Sequence, residues 1–194
     1  MSAARKLEEF LEVKRHYTYE DYAKWETDKR FELIDGVPYA MAAPNTLHQR
    51  VSRRLLRKLF ARLPEGDVCE VFHPPYDVRL NFDTRDDTVV QPDLIVVCDP
   101  KKIDGKSIKG GPDWVIEILS PSNSHREIML KYKKYCEAGV KEIWFIDPEN
   151  KTIDVHKMDE ELGDYVVNLY KFPDIVPVGI LPGFAIDTRD IFEV

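Results

Sequence analysis

Residues 113 to 147 constrain the fold more than any other part of the chain. DWVIEIL and KEIWFID are near-continuous apolar, β-forming runs bounded by turn residues, so both read as strands covered on two faces. Ser120-Pro121-Ser122 stops the first run, and Ser124 with Glu127 has the form of a capping box that opens a helix running to about residue 137. Gly139 is suited to end that helix. Strand, helix and strand in this order make a crossover unit, which calls for two parallel strands in the interior of a sheet. Alternation puts Trp114, Ile116 and Ile118 on one face, and Val115, Glu117 and Leu119 on the other. Glu117 is therefore a formal charge among apolar neighbours, a position that costs several kcal/mol unless something compensates it.

A second isolated acid precedes it. VVQPDLIVV, residues 89 to 97, reads as another buried strand with Asp93 as its lone carboxylate. Two such acids on neighbouring strands can converge. They then repel unless one is protonated or a cation lies between them, and a hard divalent ion with oxygen ligands is the natural cation. The plainer alternatives are a turn or strand start at Pro92-Asp93 and a buried ion pair between Glu117 and an arginine.

Around this centre the pattern supplies a short helix from Thr18, then FELIDGVPYAM as a hairpin turning at Asp35-Gly36. An amphipathic helix follows over about 47 to 63, with Val51, Leu55, Leu59 and Leu63 on its buried stripe and Arg50, Arg53, Arg54, Arg57 and Arg62 largely opposite. A strand over 68 to 80 is interrupted by a proline pair, and after Pro148 come TIDVHK, YVVNLYKF and a tail rich in proline and glycine. From residue 47 the order is helix, strand, strand, strand, helix, strand. With 194 residues, 43% of them apolar and 32% charged, the chain reads as one α/β (α+β) domain with a mixed central sheet. Its decoration covers about 1 to 46, its core about 47 to 147 and its C-terminal strands about 148 to 194.

The net charge of −7 disfavours a polyanion partner in general, so any nucleic-acid surface has to be local, and the arginine face of the 47 to 63 helix is the candidate. No run approaches the roughly 20 apolar residues of a membrane span. The charged opening MSAARKLEEFLEVKRHY lacks the apolar core of a signal peptide, which leaves the cytoplasm as the expected compartment. Cys69, Cys98 and Cys136 are odd in number, widely spaced and free of any CxxC pair, and are expected as small buried apolar residues rather than a disulfide or a zinc site. Ser120 and Ser122 lack the GxSxG elbow of a serine hydrolase.

Pro92-Asp93, the run from Gly111 to Ser122, Lys131, Tyr135, Gly139-Val140 and Trp144 to Pro148 together resemble the Uma-two-type family, grouped with restriction endonucleases in the PD-(D/E)XK nuclease superfamily. The resemblance covers about residues 18 to 190, and the helix, three strands, helix, strand order is similar to the restriction-endonuclease-like core. It implies a divalent-metal-dependent endonuclease acting on DNA, with Mg²⁺ or Mn²⁺ held by Asp93, Glu117 and the carbonyl of Ile118. The strict superfamily motif places a lysine two residues after the second acid, where this chain has Leu119. The resemblance carries that role to Lys131 in the following helix. It also implies Glu32 as an additional catalytic acid and Glu127 as a supporting residue. His48 matches a family position as a phosphate or water contact, beside Arg50, Arg53, Arg54 and Arg57 as backbone-gripping groups. Superfamily nucleases that cut both strands often act as two-fold dimers, so a homodimer accompanies this reading. The departure at Leu119 keeps open a catalytically inactive nuclease fold that binds nucleic acid or a protein partner.

Overall fold

The computed structural model describes residues 16–121 and 124–193; most of the charged opening segment and Ser122 lie outside them. The elements in chain order are α1 (Tyr19–Tyr22), β1 (Phe31–Ile34), β2 (Val37–Ala40), α2 (Thr46–Arg62), β3 (Glu70–Phe72), β4 (Asp77–Arg79), β5 (Val89–Val90), β6 (Leu94–Val97), β7 (Ser107–Lys109), β8 (Trp114–Ile118), α3 (His125–Glu137), β9 (Glu142–Asp147), β10 (Thr152–Asp159), β11 (Asp164–Lys171), β12 (Ile175–Pro177), β13 (Ala185–Asp187) and α4 (Arg189–Phe192).

The expected crossover forms. β8 and β9 run parallel, with Glu117 opposite Phe145, and they lie inside a six-stranded mixed sheet of order β11-β10-β9-β8-β6-β3. On one face of that sheet Trp114, Ile116 and Ile118 pack with Val51, Leu55 and Leu59 of α2 and with the C-terminal Val176 and Ile186. On the other face Val115, Ile143 and Phe145 pack against Tyr135 of α3 and against Ile34, Val78 and Val90. These last three come from a second, five-stranded sheet of order β2-β1-β5-β4-β7. The hairpin β1–β2 belongs to it, turned by Asp35 and Gly36 at φ 49° and 73°, the left-handed pair that a two-residue hairpin loop demands.

Three sequence expectations change. The 89 to 97 run is two strands, β5 in the five-stranded sheet and β6 in the six-stranded one. Gln91-Pro92-Asp93 makes the passage between them, because proline gives the ladder no N–H and breaks the strand. Asp93 accordingly stands at the entry to β6 rather than inside a strand. The 68 to 80 run is likewise divided between the two sheets as β3 and β4. Finally, Cys69 and Cys98 form a disulfide, while Cys136 is a free, half-buried thiol. The pairing of Glu70 with Val97 puts residues 69 and 98 opposite each other at the next step of the β3–β6 ladder. Their 29-residue separation, which passes through the other sheet, hides that from the sequence.

The connection at Gly111 holds α3 in place. A Cβ there would lie 2.5 Å from the carbonyl oxygen of Ala138 and 3.1 Å from Val140 Cγ2, so only a hydrogen lets the end of α3 close on the loop before β8. Gly111→Ala should cost about 1–3 kcal/mol as an overpacked contact. A urea titration would show it as a lower midpoint at unchanged m-value, and an unchanged midpoint would contradict this account of the close approach.

Candidate functional site

The β6–β8 register pairs Leu94 with Ile116. One step further along, the same ladder brings Asp93 opposite Glu117, and the Ile118 N–H donates to Asp93 Oδ2 at 2.8 Å. Asp93 Oδ1 lies 3.0 Å from His48 Nε2. His48 occupies the first turn of α2, whose N-terminus is fixed by the Asn45 side chain accepting from the His48 N–H at 2.9 Å. The other ring nitrogen of His48, Nδ1, is buried and has no hydrogen-bond partner.

Glu117 meets its cation from α3. Lys131 Nζ is 2.6 Å from Glu117 Oε1 and 2.9 Å from Glu32 Oε1. The buried ion pair is thus with a lysine, not an arginine. Glu32, on β1 of the hairpin, is only 7% exposed and also accepts the Gln91 N–H at 2.9 Å. Lys131 reaches this point because the capping box forms: Ser124 Oγ accepts from the Glu127 N–H, and Glu127 Oε2 accepts from the Ser124 N–H at 2.9 Å. The helix therefore starts at a defined residue, and its second turn lies against β8. Glu127 is occupied with this cap.

Glu32, His48, Asp93, Glu117, Ile118, Glu127 and Lys131 all line one cavity of about 450 Å³ between the two sheets. Of the expected backbone-gripping arginines, Arg50, Arg53 and Arg57 are exposed on α2. At about 100° per residue, Arg53 lies about 40° around the helix from Gln49, which lines the cavity. Arg54 points away from this surface, its Nη1 donating to the Ile191 carbonyl at 3.0 Å.

Two site groups were given no role in the sequence reading. Tyr135 donates its hydroxyl proton to Glu117 Oε1; its place one turn after Lys131, itself one turn after Glu127, was the available signal. Gln91 holds Glu32 through its main chain, while its side chain accepts from Arg30 Nε at 3.1 Å and donates to Asp77 Oδ1 at 2.8 Å. No sequence pattern marks it.

Burial is the largest influence on Glu117 and pushes its carboxyl up. The Lys131 charge pulls it down, Asp93 and Glu32 add to the rise, and the result is about 7. For Lys131, burial acts against the ammonium, but Glu117 and Glu32 outweigh it and hold the group protonated, above the usual lysine value. Burial and the Glu117 charge keep Tyr135 a neutral donor. Lys131 is therefore a fixed source of positive charge and of N–H donors rather than a base. It has three such donors, and Glu32 and Glu117 take two.

Among the described residues no group of three or more His, Cys, Asp or Glu side chains is placed to hold a metal ion by itself. Two carboxylates are, however, the donor set that Mg²⁺ uses when water and a substrate phosphate complete its shell. Asp93 and Glu117, adjacent across the β6–β8 ladder and lining one cavity, fit that set.

A carboxyl whose native pKa is raised binds its proton more tightly folded than unfolded, so its contribution to stability falls as pH rises from about 4.5 to about 7. Glu117→Gln should therefore raise the Tm of the metal-free protein by several degrees at pH 8 and leave it near wild type at pH 4, where the native carboxyl is already protonated. Equal Tm values at pH 8 in EDTA would refute the raised pKa.

The comparisons with known proteins agree with this architecture. The Uma2 family model, described as "Putative restriction endonuclease", matches residues 19–189. The "Uncharacterized protein slr1290" of Synechocystis sp. is 29% identical over 175 residues, spanning 87% of this chain and 88% of the relative. A crystal structure from Anabaena variabilis, described as a "putative nuclease belonging to DUF820", superimposes with a TM-score of 0.74 at 20% identity, covering 91% of this chain and 97% of that one. It shares the mixed α+β fold, and the extent of the family match establishes that this chain belongs to the Uma2 family.

Proposed function

We propose that this protein is a divalent-metal-dependent endonuclease that hydrolyses phosphodiester bonds in DNA. The observation that carries the reading is the delivery of Lys131 by α3 to within 2.6 Å of Glu117, in the cavity that Asp93 also lines. Leu119 stands where the superfamily motif has its lysine, and Lys131 brings an ammonium to the same side of β8 by a different route.

Asp93 and Glu117 would hold Mg²⁺ or Mn²⁺, with the Ile118 carbonyl as the expected main-chain donor. When bound, such an ion supplies Lewis acidity at the phosphate and lowers the pKa of a coordinated water. The chain's own groups do the rest. Ile118 N–H and His48 fix the two oxygens of Asp93, so the carboxylate is oriented before any ligand arrives. Tyr135 and Lys131 both engage Oε1 of Glu117 and orient that carboxylate through this one oxygen. The remaining N–H of Lys131 can orient the attacking water and stabilise negative charge as it develops on the phosphate. Arg50, Arg53 and Arg57 would hold the nucleic-acid backbone outside the cavity.

The test is cleavage of supercoiled plasmid and of single-stranded DNA with Mg²⁺, Mn²⁺ or EDTA, using wild type, Asp93→Asn, Glu117→Gln and Lys131→Ala. The expected result is nicking that needs the metal and falls at least about 100-fold in each variant. Mg²⁺ or Mn²⁺ should also raise the wild-type Tm, because a ligand that binds only the native state stabilises it. The departure at Leu119 favours a second reading, a nuclease fold that binds without cutting. No cleavage together with no metal-induced shift in Tm would decide for that reading.

A further inference from the structure

We propose that the groove between α3 and the start of β11 binds unpaired nucleotides of the substrate strand, so that the preferred substrate is single-stranded or carries a single-stranded end next to the cleavage point. This assignment rests on the nuclease reading for the cavity and adds the substrate class and the surface that recognises it.

The groove encloses about 790 Å³ and is walled by Tyr39, Met129, Tyr132 and Tyr165, with Arg126 and Lys133 along it. Tyr39 also lines the carboxylate cavity. The β1–β2 register sets Tyr39 directly opposite Glu32, and side chains so paired share one face about 5 Å apart at Cβ. The ring therefore stands on the ridge between the two depressions. α3 forms the same ridge from its other side: Glu127 and Lys131 face the cavity, while Arg126, Met129 and Lys133 face the groove. A strand whose phosphate reached Lys131 would have its neighbouring nucleotides beside Tyr39.

The chemistry of the wall selects the occupant. A duplex offers phosphates and groove edges, and surfaces that take it are polar and basic. Here the wall is aromatic and thioether, which suits the exposed π-faces of unpaired bases, and the cations suit the phosphates between them. The aromatic wall is built in advance. Tyr165 donates its hydroxyl proton to the Val140 carbonyl, and the Tyr132 ring stands 6.1 Å from that of Tyr165 at 70°. Met129 is 48% exposed. Arg126 makes no ion pair among the described residues, and Lys133 lies 3.6 Å from Glu137 on the exposed surface of α3. The groove also carries the Asp164 carboxylate at the start of β11, but Arg126 and Lys133 outnumber it, and in a chain of net charge −7 this local excess of cations beside an aromatic wall forms an anion track.

The experiment measures binding apart from cleavage. A fluorescein-labelled mixed-sequence 12-mer and its blunt duplex would be titrated in EDTA with wild type, Arg126→Ala/Lys133→Ala and Tyr39→Leu, each first checked for an unchanged Tm. The single strand should bind about tenfold tighter than the duplex. The double variant should lose about tenfold and flatten the slope of log K against log salt by about 1.4, the equivalent of two single-strand phosphate contacts. Tyr39→Leu should weaken the single strand at unchanged slope, because stacking carries no counterions. Duplex binding as tight as single-strand binding, or a double variant indistinguishable from wild type, overturns the assignment. So does a double variant that loses a dimer on size-exclusion chromatography while keeping its affinity for the single strand, since a second copy would then be the occupant. Wild type that binds the single strand as described, but cuts neither it nor plasmid with Mg²⁺ or Mn²⁺ and shows no metal-induced shift in Tm, removes the nuclease reading and leaves the groove assigned.

Discussion

The ammonium of Lys131, shared between Glu32 and Glu117, is the interaction on which the site depends. Glu32 comes from the five-stranded sheet, Glu117 from the six-stranded sheet, and the lysine from the helix packed between them. Each of these charges would cost several kcal/mol to bury alone; together they close the cavity wall where the two sheets meet. The compensation is incomplete, however. Glu32, Asp93 and Glu117 are three carboxylates beside the Lys131 ammonium, and the surplus charge adds to burial, the largest influence, in pushing the Glu117 carboxyl up to about 7. A cavity with surplus negative charge and two carboxylates adjacent across a strand ladder is predisposed to take a cation.

Simple local devices place these groups. Proline breaks the run from β5 to β6, so the chain passes from one sheet to the other through Gln91-Pro92-Asp93. That passage contributes a main-chain N–H to Glu32 and the carboxylate of Asp93 to the same cavity. The capping box at Ser124 sets where α3 begins, and Gly111 lets its far end approach. Between those limits the helical repeat leaves little choice: Glu127, Lys131 and Tyr135 fall on one stripe, four residues apart, facing the cavity and the strand that carries Glu117.

What the sequence made legible follows from how far each signal reaches along the chain. The crossover of β8, α3 and β9 was readable because periodicity, capping and turn residues are local, and the side of β8 that Glu117 occupies followed from alternation alone. Family resemblance, not spacing, brought Lys131, Glu32 and His48 into consideration. Lys131 could equally have been one of several solvated lysines on its helix, and Glu32 an exposed residue of a hairpin. Illegible were the features set by strand pairing. The sequence of β6 does not say that it pairs with β8 in the register that sets Asp93 opposite Glu117, nor that β3 lies beside β6 with Cys69 opposite Cys98. The arginines of α2 show the limit of helical periodicity. It separates a buried stripe from a charged one, but it cannot tell that Arg54 is tied to the C-terminal carbonyl of Ile191 while Arg50, Arg53 and Arg57 stay exposed.

On the proposed reading a helix lysine stands in for a strand lysine, and that changes how the site is held. Leu119, at the superfamily position, contributes its N–H to the Ile146 carbonyl at 2.7 Å and packs its side chain against the second core, so that position now serves packing. A lysine on β8 would be fixed by the ladder itself, as rigidly as Glu117. Lys131 is fixed only while α3 stays docked, through its cap at one end, the close approach at Gly111 at the other, and Tyr135 between. Tyr135 belongs to the apolar core and also donates to Glu117, so the packing that docks the helix and the hydrogen bond that orients the acid are properties of one side chain. Electrostatics alone would not distinguish the two arrangements, because an ammonium acts from where its charge lies rather than from where its backbone runs. The difference is mechanical: in this chain, the position of the Lys131 charge in the cavity is coupled to the packing of a whole helix.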